Sequence, residues 1–167
     1  MDVSYALVDS PLGALVAAVT GRGLVRLSYS EADSDAVLEE LARRVSPRVL
    51  EDRAALDDVM RELDEYFTGR RHRFELTIDW RLVPSGFARR VLQATKRVPF
   101  GRLTTYKDIA GKAGSPGAAR AVGNALGANP IPIVVPCHRV VHADGSLGGY
   151  TGGLQRKRYL LRLEGAL

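Results

Sequence analysis

Apolar and polar residues alternate along the start of the chain. Val3 to Val8, Leu15 to Val19 and Leu24 to Tyr29 are short β-branched or alternating segments, separated by Ser10-Pro11-Leu12-Gly13 and Thr20-Gly21-Arg22-Gly23. That pattern predicts a small antiparallel meander. The period then lengthens: Ala36, Val37, Leu41 and Val45 predict a helix stopped near Pro47, and Leu56, Val59, Met60, Leu63 and Phe67 a second one ending at Gly69. From Arg73 to Trp80 a two-residue period returns, with Phe74, Leu76, Ile78 and Trp80 on one face. A further strand is expected to rejoin the sheet there.

After Val83-Pro84 the texture is helical. Ser85 is expected to cap a helix whose Phe87, Val91, Ala94 and Val98 share a face until Pro99. Thr105-Tyr106-Lys107-Asp108 has the form of a capping box and opens a short helix that Gly114 ends. Ser115-Pro116 is expected to start the next helix, with Ala119, Val122 and Leu126 on its apolar face up to Gly127. Two short helices joined by a glycine-containing turn form a candidate helix-turn-helix. Gly123 in mid-helix costs about 1 kcal/mol relative to Ala, which predicts a close approach at that backbone. Three prolines between residues 129 and 137 predict a stiff, extended, buried segment that delivers Cys137 to a fixed place. A Gly-rich stretch and a closing helix with Tyr159, Leu160 and Leu163 follow.

The pattern therefore predicts an α+β chain with two parts, an N-terminal α+β domain over residues 1–80 and a mainly helical C-terminal domain over 81–167. Composition fits: 167 residues, 46% hydrophobic and 26% charged, are those of a globular protein with a real core. The apolar runs stop far short of the ~18 residues that a membrane span needs, and Met1-Asp2-Val3 does not open an export signal, so a soluble cytoplasmic protein is expected. The single cysteine excludes an internal disulfide and a multi-thiolate zinc site. Charge divides the chain where the pattern does: residues 1–80 hold 10 Lys+Arg against 16 Asp+Glu, and residues 81–167 hold 14 against 3. A basic excess of that size attracts a polyanion, with nucleic acid the commonest candidate, although a solvated basic surface reads the same way.

The chemistry centres on Cys137. A lone buried cysteine is usually an apolar filler, but His138 and Arg139 follow it, and positive neighbours favour the thiolate. Adjacency in sequence does not make the thiol and imidazole face each other, and contact through a water stays open. Glu164 falls in the last turn of a predicted helix, where the dipole disfavours an anion. From pattern alone it reads as an exposed glutamate paired with a base; the alternative is a relay in which it orients His138.

At Pro136-Cys137-His138-Arg139-Val140 the sequence resembles the methylated-DNA-protein-cysteine methyltransferases, also called alkylguanine-DNA alkyltransferases. Pro99-Phe100-Gly101, Thr105-Tyr106, the run from Ala118 to Gly123, Asn129-Pro130 and the Gly149-Tyr150-Thr151-Gly152-Gly153 loop fall in the same order as in that family. Ser10-Pro11-Leu12-Gly13 and the Tyr66-Phe67 end of the acidic helix resemble its N-terminal domain more weakly. The resemblance implies a ribonuclease-H-like first domain and irreversible alkyl transfer from guanine oxygen-6 in DNA to Cys137. It further implies that His138 activates the thiol through a water, that Glu164 holds His138, and that Asn129 steadies the active-site turn. Tyr106, the Val140 carbonyl, Tyr150 and Thr151 would hold the base. Thr105, Ala119 and Gly123 would meet DNA, with Arg120 filling the stack behind a flipped base. Small residues on the second helix suit close approach to a minor groove. The expected partner is double-stranded DNA carrying alkylated guanine; no cofactor, metal or membrane is expected. A monomer is expected, with self-association on DNA left open, and His72 and His142 are expected at the surface. Three other readings are weaker. A non-reactive binder of alkylated guanine would not need Cys137, a sequence-reading regulator would need base-reading side chains where Ala and Gly stand, and a thiol hydrolase leaves the basic half unexplained.

Overall fold

The alternating N-terminal segments are strands in the computed structural model, which describes residues 1–30 and 34–167. The chain divides into two units, Met1–Leu82 and Val83–Leu167. In the first, β1 (Val3–Val8), β2 (Leu15–Thr20) and β3 (Gly23–Tyr29) pair antiparallel as expected. Leu15 to Ala18 are all buried, so β2 is covered on both faces. On one face Val3, Val16, Ala18 and Val25 pack with Val37 and Leu41 of α1 (Ser34–Arg44). Against the strands β1 and β2 also lies a 3₁₀ turn, Arg53–Leu56, which leads into α2 (Asp57–Phe67).

Two features depart from the sequence reading. The sheet is mixed, because β4 (Val49–Glu51) joins β1 in parallel and gives the order β3-β2-β1-β4. At three residues, β4 is too short to show a period. The segment from Arg73 to Trp80 is not a strand: among the described residues its backbone pairs with the sheet only through an isolated bridge between Ile78 and Leu24. Its other contacts run through side chains. Glu62 of α2 accepts the Glu75 amide at 2.8 Å, Phe74 packs on the Tyr66 ring, and Asp79 is held by the Thr20 hydroxyl and Arg81. An extended chain tied down by side chains keeps a two-residue period without forming a ladder.

The second unit contains α3 (Phe87–Lys96), β5 (Thr104–Thr105), α4 (Tyr106–Lys112), α5 (Ala119–Gly127), β6 (Val140–Val141) and α6 (Leu154–Leu163). The first helix starts at Phe87 after Gly86, at φ 97°, and no side chain caps it, so Ser85 does not have the expected role. Thr105 does cap α4, accepting the Asp108 amide at 3.0 Å. Ser115 ends that helix instead of starting the next. Its amide bonds the Ala110 carbonyl while the Gly114 amide bonds Gly111, the paired closure that a left-handed glycine permits. Helix α5 therefore begins only at Ala119, after a turn closed from Ala118 to Ser115. No helix among the described residues is long and apolar enough to cross a membrane.

Candidate active site

Short parallel pairing builds the site. Thr104 and Thr105 of β5 lie beside Val140 and Val141 of β6, so Tyr106, after β5, is set beside His142, after β6, and lines a cleft with Cys137 from the turn that precedes β6. That turn is the 3₁₀ segment Cys137–Arg139. The stretch before it is buried, as expected, but it is folded back, not extended. The Val134 amide bonds the Pro132 carbonyl across Ile133, whose φ of 74° is a strained γ-turn geometry for a β-branched residue. Asn129 spans this reversal: its oxygen accepts the Ile131 amide and its nitrogen donates to the Val135 carbonyl, both at 3.0 Å. Prolines fixed the backbone angles here, but a turn satisfies them as well as an extended chain does.

Cys137 sits at the floor of a cleft of about 610 Å³ and is 5% exposed. Ala119, Arg120 and Gly123 of α5 line it, together with Tyr106, His142 and the loop Gly149-Tyr150-Thr151. A methyl group added at Gly123 would meet nothing within 4 Å, so the close approach expected there is not made by the protein itself. Gly148 is different. At φ +73°, a Cβ there would lie 2.5 Å from the Tyr106 hydroxyl.

Behind the thiol lies a buried charge network. His138, with no exposed surface, bonds Glu164 at 2.8 Å through Nε2. Arg139 donates to both Glu164 oxygens, at 2.8 and 2.9 Å, and to the Val98 carbonyl at 2.6 Å. Burial pushes the Glu164 carboxyl up, but the hydrogen bonds and charges of His138 and Arg139 outweigh it and bring it down to about 2. The exposed reading of Glu164 is thus overturned, since the residue is 5% exposed. Burial also holds His138 below its ordinary value despite Glu164, so the ring is neutral at pH 7. With its proton on Nε2 facing a carboxylate, Nδ1 keeps a lone pair; that atom is buried and has no hydrogen-bond partner among the described residues.

The thiol departs from expectation. Burial pushes Cys137 up, and the Asn129 side chain and Lys157 charge pull it down without overcoming that effect. Basic neighbours in sequence do not decide it, because Arg139 is committed to Glu164 and Val98. Tyr106 is also pushed up, first by burial and then by Cys137, so its phenol stays a donor.

Of the residues singled out from sequence, Tyr106, Ala119, Arg120, Gly123, Cys137, Tyr150 and Thr151 line one cleft. His138, Glu164 and Asn129 lie buried behind it. Val140 is buried outside the lining, with its carbonyl on Lys157, and Thr105 serves as the cap of α4. The sequence reading missed three residues. Arg139 anchors Glu164, His142, exposed as expected, lies tilted against the Tyr106 ring with centroids 4.9 Å apart, and Lys157 is fully buried. Lys157 had a signal: it precedes Leu160 and Leu161 by a helical turn, and Glu164 follows them by one.

Fold and site together define a two-unit α+β protein that presents one buried thiol in a cleft beside a pair of short helices. Two family models match it, the 6-O-methylguanine DNA methyltransferase ribonuclease-like domain over residues 3–80 and the DNA binding domain of the same name over residues 86–166. The chain belongs to the 6-O-methylguanine DNA methyltransferase family. A methylated-DNA–protein-cysteine methyltransferase of Mycolicibacterium paratuberculosis is 43% identical, over 97% of this chain and 92% of that protein. One from Methanosarcina barkeri is 36% identical, over 96% of each. Among solved structures, the Mycobacterium tuberculosis O6-methylguanine methyltransferase superposes with a TM-score of 0.85 at 40% identity, covering 98% of this chain and 93% of that one. The M. tuberculosis OGT in complex with DNA gives 0.84 over the same shares.

Proposed function

We propose that this protein repairs double-stranded DNA by moving an alkyl group from guanine oxygen-6 to the Cys137 sulfur, once per molecule. The observation that carries this reading is the placement of Cys137 at the floor of the cleft with the His138–Glu164–Arg139 network behind it. The thiol is protonated at rest, so it needs a base, and the His138 Nδ1 lone pair supplies one through an intervening water. Glu164 stabilises the imidazolium that forms, and Arg139 keeps Glu164 ionised. The sulfur attacks the alkyl carbon, the S–C bond forms as the C–O bond breaks, and the departing guanine takes up one proton. Thiol and alkylguanine thus become thioether and guanine. Tyr106, as a phenol, hydrogen-bonds the base as charge develops on it, which favours the transition state over the ground state.

A thioether has no leaving group to return the thiol, which makes the protein stoichiometric. The base must leave the stack to reach a thiol at the floor of a cleft, and Arg120, exposed at the cleft rim on α5, is suited to take its place. Intact mass after incubation with a duplex carrying O6-methylguanine tests this reading. One methyl group mapped to Cys137 is expected; repeated turnover, or a methyl group mapped elsewhere, overturns it.

A further inference from the structure

Lys157 is buried completely, yet the relay behind Cys137 does not use it. An ammonium has three protons to donate. Three carbonyl oxygens receive them: Val140 at 2.7 Å, Leu147, and Gly149 at 3.1 Å. Val140 opens the strand that follows the thiol turn, while Leu147 and Gly149 bracket Gly148 in the loop leading to Tyr150. One side chain of α6 therefore ties two parts of the site together. Its charge also reaches the thiol, because Lys157 pulls Cys137 down and Cys137 pulls Lys157 up. Burial, the larger effect on Lys157, brings its ammonium to about 8, so it is mostly charged at pH 7.

We propose that Lys157 is a positioning residue for the transfer, clamping the Gly148–Gly149 loop to the Val140 strand and holding a positive charge against the Cys137 thiolate as it forms. The proposal rests on Cys137 as alkyl acceptor. Other polar groups act on the same sulfur. Tyr106 at the start of α4 is disfavoured as an anion by it, Asn129 hydrogen-bonds it, and His138 adjoins it with Glu164 and Arg139 behind. Arg139 is neutralised by Glu164, which leaves Lys157 as the cation acting on the thiol.

A clamp that only held the loop in place would affect the thiol with the opposite sign. Losing such a clamp opens the loop, hydrates Cys137 and lets its pKa fall toward that of an ordinary thiol. Losing a charged clamp removes the cation and raises it. The pH dependence of Cys137 alkylation by iodoacetamide, followed by intact mass, separates the two without DNA or methyl transfer. Lys157→Met should move the midpoint up by about one pH unit and cut reaction at pH 7 about tenfold. Addition of propylammonium to Lys157→Ala should restore part of the loss, whereas propanol should not. An unchanged or lowered midpoint, or equal rescue by both additives, overturns the proposal. A second measurement needs no variant: the lysine ε-carbon NMR titration of wild-type protein before and after S-methylation of Cys137. Lys157 should titrate at lower pH once the sulfur can no longer ionise, and identical titrations overturn the charge role. If wild-type Cys137 accepts no methyl group from DNA, the acceptor reading fails instead, whatever these titrations give.

Discussion

Replacing Glu164 by Gln keeps the size of the side chain and removes its charge. In the folded chain the carboxyl lies at about 2 against an ordinary 4.5, a difference worth about 3 kcal/mol in favour of the ionised, bonded state. Removing one partner of a buried ion pair costs a similar ~3–5 kcal/mol, because Arg139 would be left buried without its counter-charge. Glu164→Gln should therefore unfold with about 3 kcal/mol less stability at pH 7. The sign of the pH dependence follows from the lowered carboxyl. Its stabilisation is complete above 4.5 and is lost as pH falls from there through 2, since a protonated glutamic acid resembles the glutamine that replaced it. The gap between the two proteins should shrink to about half or less by pH 3. Urea titration is the assay, with the reactivity of Cys137 toward an aromatic disulfide as reporter, because that thiol is buried in the unit that contains Glu164. A gap below about 1 kcal/mol at pH 7, or one unchanged at pH 3, would refute the reasoning.

Three further outcomes are expected. Asn129→Ala leaves the buried Ile131 amide without its partner and takes one of two donors from the Val135 carbonyl, which keeps the Cys137 amide, so it should cost about 2 kcal/mol and, with the bond that lowers the thiol gone, slow iodoacetamide labelling of Cys137; unchanged labelling would show that the thiol does not depend on Asn129. Gly148→Ala drives a methyl group into the Tyr106 hydroxyl and should slow transfer by at least ~10-fold while affinity for undamaged duplex changes little, a split that kinetics and a binding titration measure separately. Arg120→Ala should slow repair of duplex far more than reaction with free alkylguanine, which needs no extrusion; equal slowing of both would show that Arg120 supports the cleft itself.

Elements with room for several periods were legible in the sequence. Strands β1 and β3 show alternation over six or seven residues, β2 is an apolar run of strand length, and α2 buries Val59 and Leu63 of the expected face, with Tyr66 in place of Phe67 as its buried aromatic. What escaped was short or governed by side chains. Three-residue β4 shows no period, and residues 73–80 show a strand's period while their bonds go to Glu62, Thr20 and Arg81. Ser115 carried a real signal for a helix start, which lost to the closure of the helix before it. At the site, the pentapeptide around Cys137 located the thiol, but the protonation of that thiol depended on burial, which no neighbour in sequence reveals. Position at a helix end makes Glu164 read as exposed. Its spacing from Leu160 and Leu161, shared with Lys157 on the other side, places both charges on the buried face of α6.

The raised thiol of Cys137 also determines how long an idle molecule keeps its capacity to react. Oxidants and stray electrophiles consume thiolates, and a sulfur that ends as a sulfonic acid or an adventitious thioether cannot be recovered. Desolvation that favours the protonated thiol of Cys137 acts as a safety catch, leaving the sulfur less reactive than an exposed thiol. On the proposed mechanism the catch is released when the lone pair on His138 Nδ1 takes that proton with a substrate carbon in place. If the protein reacts once, as proposed, shelf life and reactivity are set by the same few buried side chains.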